Sequence, residues 1–284
     1  MSLGASLGLS SGLLWGTGDF VGGLQSRRQA PRAVAVWSQV AGGLALLGVL
    51  AGLPGHRPAL AGVAWGVAAG LGGGAGLLLF YRGLAEGTMS IVAPVSACGA
   101  VVPVVVSYLR GTPPSLPATV GIVAAVTGVL LVSRQARSER HAGGTPVRVV
   151  AMALGAALGF GFFFVCVDAG SAVPGGSPLW VVAGARAGSL ISMLAIVLAG
   201  RRSLPWPGRR IWGVALAGVL DTAANVLFAY ATTMGNLGVV GVLGSLYPVT
   251  TVLLARFVLA ERLSGVQATG VALALTGVAL LGAG

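Results

Sequence analysis

Asp221, Asn225 and Phe228 follow one another at spacings of four and three residues, which on a helix sets a carboxylate, an amide and an aromatic ring along one face. Such a stripe could hold a small polar or zwitterionic solute, or form a polar seam between helices, since asparagine commonly bonds across them. Arg186 and Asp168 also stand inside apolar sequence rather than in loops. An ionisable group near the centre of a membrane helix costs at least ~2.5–3.5 kcal/mol unless solvated or paired. The spacing therefore predicts an Arg186–Asp221 pair, with Asp168 as a competing partner. Two readings of that pair stand: a structural salt bridge, or a site where Asp221 or Arg186 binds solute or a proton. Asp19 is placed to serve either as a vestibule residue near a basic loop or as a binding residue. Trp15 is a candidate cavity wall. Trp37 and Gln39 sit deeper than an interfacial belt, Gln39 as a packing contact. Tyr81 and Tyr230 suit interface anchoring or gating.

Other chemistries lack their residues. There is no phosphate-binding Gly-x-x-x-x-Gly-Lys motif and no lysine at all, so no ATP site is expected. Cys98 and Cys166 lie in separate apolar stretches, and His56 and His141 in separate loops, so neither a disulfide nor a metal centre is indicated. No Ser-His-Asp set or paired-carboxylate site appears. The chain reads as a non-enzyme without metal or cofactor.

The elements that must position these residues are ten apolar stretches, each about the roughly 20 residues needed to cross a ~30 Å hydrocarbon core. They are Leu3–Leu24, Ala33–Leu53, Leu60–Tyr81, Met89–Leu109, Leu116–Val132, Val149–Val173, Leu179–Ala199, Ile211–Tyr230, Leu237–Phe257 and Gly265–Leu281, numbered spans 1 to 10. Of 284 residues 56% are hydrophobic and 8% charged, and the mean hydropathy is +0.93. A water-soluble domain of this length would carry far more charge. The net charge of +11 is spread thinly over short loops, so it reads as a topology signal and not as a nucleic-acid surface.

Thirteen arginines follow odd-numbered spans and two, Arg57 and Arg110, follow even-numbered ones. The positive-inside rule then puts the odd-numbered loops in the cytoplasm and both termini outside. Span 1 lacks a basic n-region and a trusted cleavage pattern, so it is expected to persist as a helix. Trp65, Trp180, Trp206 and Trp212 fit an interfacial belt.

The chain also repeats itself. At a shift of 149 residues, Ser115, Gly121, Thr127-Gly128-Val129 and Leu131 fall on Ser264, Gly270, Thr276-Gly277-Val278 and Leu280. The same shift lays Ser96 on Ser245, Leu78 on Leu227 and Tyr81 on Tyr230; a shift of 145 lays Trp15-Gly16 on Phe160-Gly161. Two five-helix halves follow, 1–140 and 145–284, joined by the polar stretch Arg134–Arg148. An odd number of spans per half makes the second half enter from the opposite side. The expected fold is all-α and integral to the membrane: ten transmembrane helices as two inverted five-helix repeats, with a site near the midplane between them.

Several motifs carry a family likeness: Leu14-Trp15-Gly16, Ser90-Ile91-Val92-Ala93-Pro94, Ser245-Leu246-Tyr247-Pro248-Val249 and Ala260-Glu261-Arg262-Leu263-Ser264. In their order and spacing the chain resembles the drug/metabolite transporter superfamily, in its ten-helix EamA-type branch. It departs where the family's Gly-Glu-Arg reads Gly111-Thr112-Pro113, where Asp19 stands for a common Asn, and in the orientation that the arginines give. The resemblance implies a substrate cavity lined by spans 1, 3, 4, 6, 8 and 9, with spans 5 and 10 outside it.

The expected function is a secondary transporter, an exporter of small metabolites such as amino acids, working by alternating access in a bacterial inner membrane. Its substrate-binding candidates are Trp15, Asp221, Asn225, Phe228, Arg186, Tyr81 and Tyr230. Pro94, Pro103 and Pro248 would kink spans 4 and 9 and serve gating; glycines of span 3 would permit sliding or close packing. Partners would be a small-molecule substrate, membrane lipid and, if coupled, protons; the chain would be a monomer or weak dimer. Efflux of lipophilic cationic drugs and a non-transporting membrane scaffold are the alternatives.

Overall fold

The structure, a computed structural model, describes residues 2–53, 58–86, 89–132, 147–258 and 265–283. All regular structure among them is helical. The helices are α1 (Leu3–Ser26), α2 (Pro31–Ala51), α3 (Leu60–Glu86), α4 (Met89–Ala97), α5 (Val101–Leu109), α6 (Leu116–Val132), α7 (Val147–Ser171), α8 (Pro178–Ala199), α9 (Ile211–Met234), α10 (Leu237–Gly244), α11 (Tyr247–Val258) and α12 (Gly265–Ala283). Five stretches, Pro31–Ala51, Leu60–Glu86, Val147–Ser171, Pro178–Ala199 and Gly208–Met234, are long and apolar enough to cross a membrane, and shorter apolar helices accompany them. Leu44, Leu109, Leu116, Leu158, Leu198 and Phe257 are each more than half exposed. Apolar surface of that kind on helices of this length belongs against lipid, and the protein is a multi-pass membrane protein.

Helix starts follow local chemistry. Pro31 and Pro178 open α2 and α8, where a missing N–H costs nothing and the fixed φ suits a helix. Ser2 caps α1 through the Ala5 N–H, and Asn236 caps α10 through those of Gly238 and Val239.

Spans 4 and 9 are each broken in two. A 3-10 turn at Cys98–Ala100 separates α4 from α5, and Ser245-Leu246 separates α10 from α11. Two of the prolines then sit differently from expectation. Pro103 and Pro248 lie in the first turns of α5 and α11, where helix N–H groups have no partner in any case, so the breaks precede them and neither interrupts a helix. Pro94 stands inside α4, with its side chain outside the described residues. Glu261, Arg262, Ser264, His56 and His141 also lie outside them, as do residues 133–146 of the polar stretch.

Packing between the halves is reciprocal. α3 lies along α7 and α8, α9 lies along α1 and α2, and α6 packs against α12. α1 rests on α10 and α11, as α7 rests on α4 and α5. Small residues allow the closest contacts. A Cβ on Gly66 or Gly70 would collide with the Val181 or Ala185 carbonyl of α8, and one on Gly184 or Gly188 with the Val63 or Val67 carbonyl of α3. These glycines, at four-residue spacing on both helices, bring backbone onto backbone as small-xxx-small faces do in membranes.

At one end of the bundle Arg110, beyond α5, forms an ion pair with Asp168 of α7. Arg110's side chain is 44% exposed but that of Asp168 only 11%, so Arg110→Ala leaves a largely buried carboxyl without its partner and is expected to lower unfolding stability by about 1–3 kcal/mol. Thermal denaturation of the purified variant checks this. The expected competition of Asp168 for Arg186 does not arise, because Asp168 is held by Arg110.

Candidate functional site

Between the two halves lies a cavity lined by residues of both. α1 contributes Trp15 and Asp19, α2 Gln39, α3 Gly73 and Leu77, α7 Phe160, Phe163 and Phe164, α8 Arg186 and Ser189, α9 Asp221 and Asn225, and α11 Tyr247. It offers about 60 Å3 to the centres of water molecules. At roughly 10–15 Å3 for each, that is room for about four to six waters, the scale of a small solute's polar groups.

Arg186 organises the polar side of the cavity. It is 4% exposed, and its Nη1 donates to Gln39 Oε1 at 2.5 Å and to Asp221 Oδ2 at 2.6 Å. Gln39 Nε2 donates to the same Asp221 oxygen at 3.1 Å, closing a three-membered cluster. Counted from the prolines that open α2 and α8, Gln39 and Arg186 are both the ninth residue of their helices. Equivalent positions of two similar helices thus meet, an amide from one and a guanidinium from the other. Arg186 Nε and Nη2 are buried and have no hydrogen-bond partner among the described residues. Leaving a buried donor unsatisfied costs about 1–3 kcal/mol, more when it is charged.

A second polar contact joins α1 to α9: Trp15 Nε1 donates to Asn225 Oδ1 at 3.0 Å. Trp15 stacks at 5.5 Å on both Phe164 and Phe228, whose own rings are 4.7 Å apart. Trp15→Phe keeps the aromatic wall and removes the donor. It is expected to lower unfolding stability by about 0.5–1.5 kcal/mol, the range for interhelical hydrogen bonds in membranes, read as a fall in melting temperature. Tyr247 closes another side, its hydroxyl 2.6 Å from Ser96 Oγ and within 3.3 Å of the Ala93 carbonyl.

The structure brings four of the seven sequence candidates together: Trp15, Arg186, Asp221 and Asn225 line the cavity. Three stand elsewhere. Phe228 is fully buried behind Trp15 and Phe164, so it supports the wall without forming it. Tyr81 is 2% exposed with its hydroxyl against Gly22, and α3 runs on to Glu86, which leaves it too deep for an interface anchor. Tyr230 is half-buried and packs on the core. Asp19, weighed between vestibule and binding residue, lines the cavity, as does Gln39, expected as a packing contact; Gly73, Leu77, Phe160, Phe163, Phe164, Ser189 and Tyr247 are the additions. The run Phe160…Phe163-Phe164 had a signal, since its three- and four-residue spacing puts three rings on one helix face. Spans 2 and 7 line the cavity, through Gln39, Arg186 and Ser189, although they stood outside the expected lining, while span 4 meets the lining residue Tyr247 through Ser96 and the Ala93 carbonyl. Trp37 is also reassigned: it sits against the 200–210 connection, donating to the Pro205 carbonyl and meeting Trp206 edge-on at 4.8 Å. Among the described residues no group of three or more His, Cys, Asp or Glu is arranged to hold a metal ion.

A multi-pass helical membrane protein with a buried, charged, solute-sized cavity is built as a transporter is built. The EamA-like transporter family model matches residues 2–134 and again 147–283, nearly the whole chain in two copies. The chain belongs to the EamA-like transporter family and is a membrane transporter. Seventeen chains of solved structures match it. One, titled only as the crystal structure of a protein, superposes with a TM-score of 0.75 over 98% of this chain and 95% of its own, at 18% identity, and so shares the fold. No curated protein matches the sequence significantly.

Proposed function

We propose that the protein is a secondary transporter exporting small metabolites such as amino acids, and that its halves are inverted repeats which rock to expose the central cavity alternately to either side. The single observation that carries this reading is the Arg186–Gln39–Asp221 cluster, buried in a cavity to which both halves contribute. Charges so placed are expensive in a membrane, and such groups mark solute or ion pathways. The reciprocal packing of α3 on α7 and α8, and of α9 on α1 and α2, supports motion of one half against the other. Each half meets the other through smooth, glycine-faced contacts suited to small displacements. The breaks at Cys98–Ala100 and Ser245-Leu246, with Pro94, Pro103 and Pro248 beside them, are the proposed hinges.

The sequence offers no nucleotide site, so energy comes from a gradient: of solute alone in facilitated diffusion, or of protons if transport is coupled to them. Reconstitution into liposomes tests the proposal. Vesicles loaded with labelled amino acids should release them faster with the protein than without, and Asp221→Asn should slow release by roughly 10- to 100-fold, the value of a charge-assisted contact. Repeating the measurement with and without a pH gradient separates the two energy sources. A protein that moves no member of a broad metabolite panel under either condition would be a scaffold.

A further inference from the structure

We infer that the cavity takes its solute by a carboxylate, docked side-on against the Nε–Nη2 edge of Arg186, with the solute's cationic end turned toward Asp19. This deepens the carrier reading above and rests on it.

The argument starts from how Arg186 is used. Its two protein partners, Gln39 and Asp221, both accept from Nη1. Asp221 uses one oxygen and sits at the end of the guanidinium, although a carboxylate prefers to grip two parallel N–H groups. The preferred edge is thereby left unpaired: Nε and Nη2 are buried without a partner among the described residues, on a side chain 5% exposed. Their N–H groups point the same way in a fixed fork whose match is a planar oxyanion. Gln39 and Asp221 hold the guanidinium in place from the other end, so the fork is already oriented and only the packing beside it has to open to admit a ligand.

Charge selects among carboxylates. Arg186 and Asp221 balance one another, whereas Asp19 lines the same cavity, half-buried, with no side-chain hydrogen bond or ion pair among the described residues. A plain anion would face the carboxyl groups of both Asp19 and Asp221 with a single guanidinium among them. A zwitterion brings its carboxylate to Arg186 and its ammonium to Asp19, leaving both satisfied. Leu77, Phe160, Phe163 and Phe164 supply an apolar stretch of the wall, which fits an apolar substituent. The class is a small zwitterion with an apolar side chain.

Matched ligand trios test this on the purified protein and in liposomes. The probes are L-alanine, L-valine, L-leucine and L-phenylalanine, each with its amide, which lacks the carboxylate, and its deaminated acid, which lacks the ammonium. At least one zwitterion is expected to stabilise the wild-type protein against heat, with its amide weaker by about 10- to 100-fold. Its deaminated acid should also bind more weakly. Arg186→Lys, which keeps the charge and loses the fork, should weaken the zwitterion by about tenfold or more. The comparison of amide with parent needs only wild-type protein, so it holds even if the variant fails to fold. An amide bound or carried as well as its parent overturns the inference, as does a folded Arg186→Lys of unchanged affinity. Transport confined to solutes without a carboxylate overturns it too while leaving the carrier intact. If no solute binds or moves at all, the carrier reading falls first and the inference with it.

Discussion

Gly70→Val is expected to break the α3–α8 contact and cost the protein about 3 kcal/mol or more, with a fall in melting temperature on the order of 10 °C. A Cβ at Gly70 meets the Ala185 carbonyl head-on and comes within 2.6 Å of Ser189 N. Both obstacles are backbone, so no rotamer change relieves them. The helices must separate, and the separation disturbs Arg186, one residue from Ala185 on the same helix. Gly48→Val is the control. Gly48 lies on α2 with nothing within 4 Å of the added atom, so it should leave the melting temperature almost unchanged. Equal behaviour of the two variants would mean that α3 and α8 do not touch as described.

Asp221→Asn is expected to lower unfolding stability by about 3 kcal/mol, and adding Arg186→Gln to restore most of it. The single substitution leaves a guanidinium whose side chain is 5% exposed with only the Gln39 amide to face it. A buried charge stripped of its partner is costly, while removing both members of a pair is often nearly neutral. The figure sits at the low end of the range for buried pairs because the Asp221 side chain is 21% exposed and keeps some solvation. Melting curves of the two single variants and the double variant form a cycle. Additive losses would show that Arg186 and Asp221 are not coupled. Export should be slowed by roughly 10- to 100-fold or more in all three variants, so stability and transport separate: the double variant folds well and still carries poorly.

The Arg186–Asp221 pairing was legible in the sequence because depth along a helix can be counted at 1.5 Å per residue, and two opposite charges at one depth have few other options. Gln39 was harder to place. A lone glutamine in an apolar stretch carries no sign of its neighbour, and its alignment with Arg186 shows only when each is counted from its opening proline. Phe228 misled for a related reason. It shares a face with Asp221 and Asn225, but that face is wide enough to meet both the cavity and the wall behind it, and the Trp15 and Phe164 rings stand between Phe228 and the open space. Tyr81 seemed to end a helix because Arg82 follows it. Helix α3 instead continues to Glu86, which pairs with Arg82 at 2.7 Å and with Arg148 of α7 at 3.6 Å.

By itself the sequence determined that this is a helical membrane protein of repeated halves, and roughly where its helices begin and end. Those properties are one-dimensional: a bilayer's thickness and water's absence from it act on each apolar run separately. Only the tertiary structure decided which further side chains join the Arg186–Asp221 pair in one cavity. That depends on how each helix is rotated about its axis, and rotation is set by which glycine faces let two backbones approach. Hydropathy is blind to that choice, because either face of these helices is apolar enough for lipid.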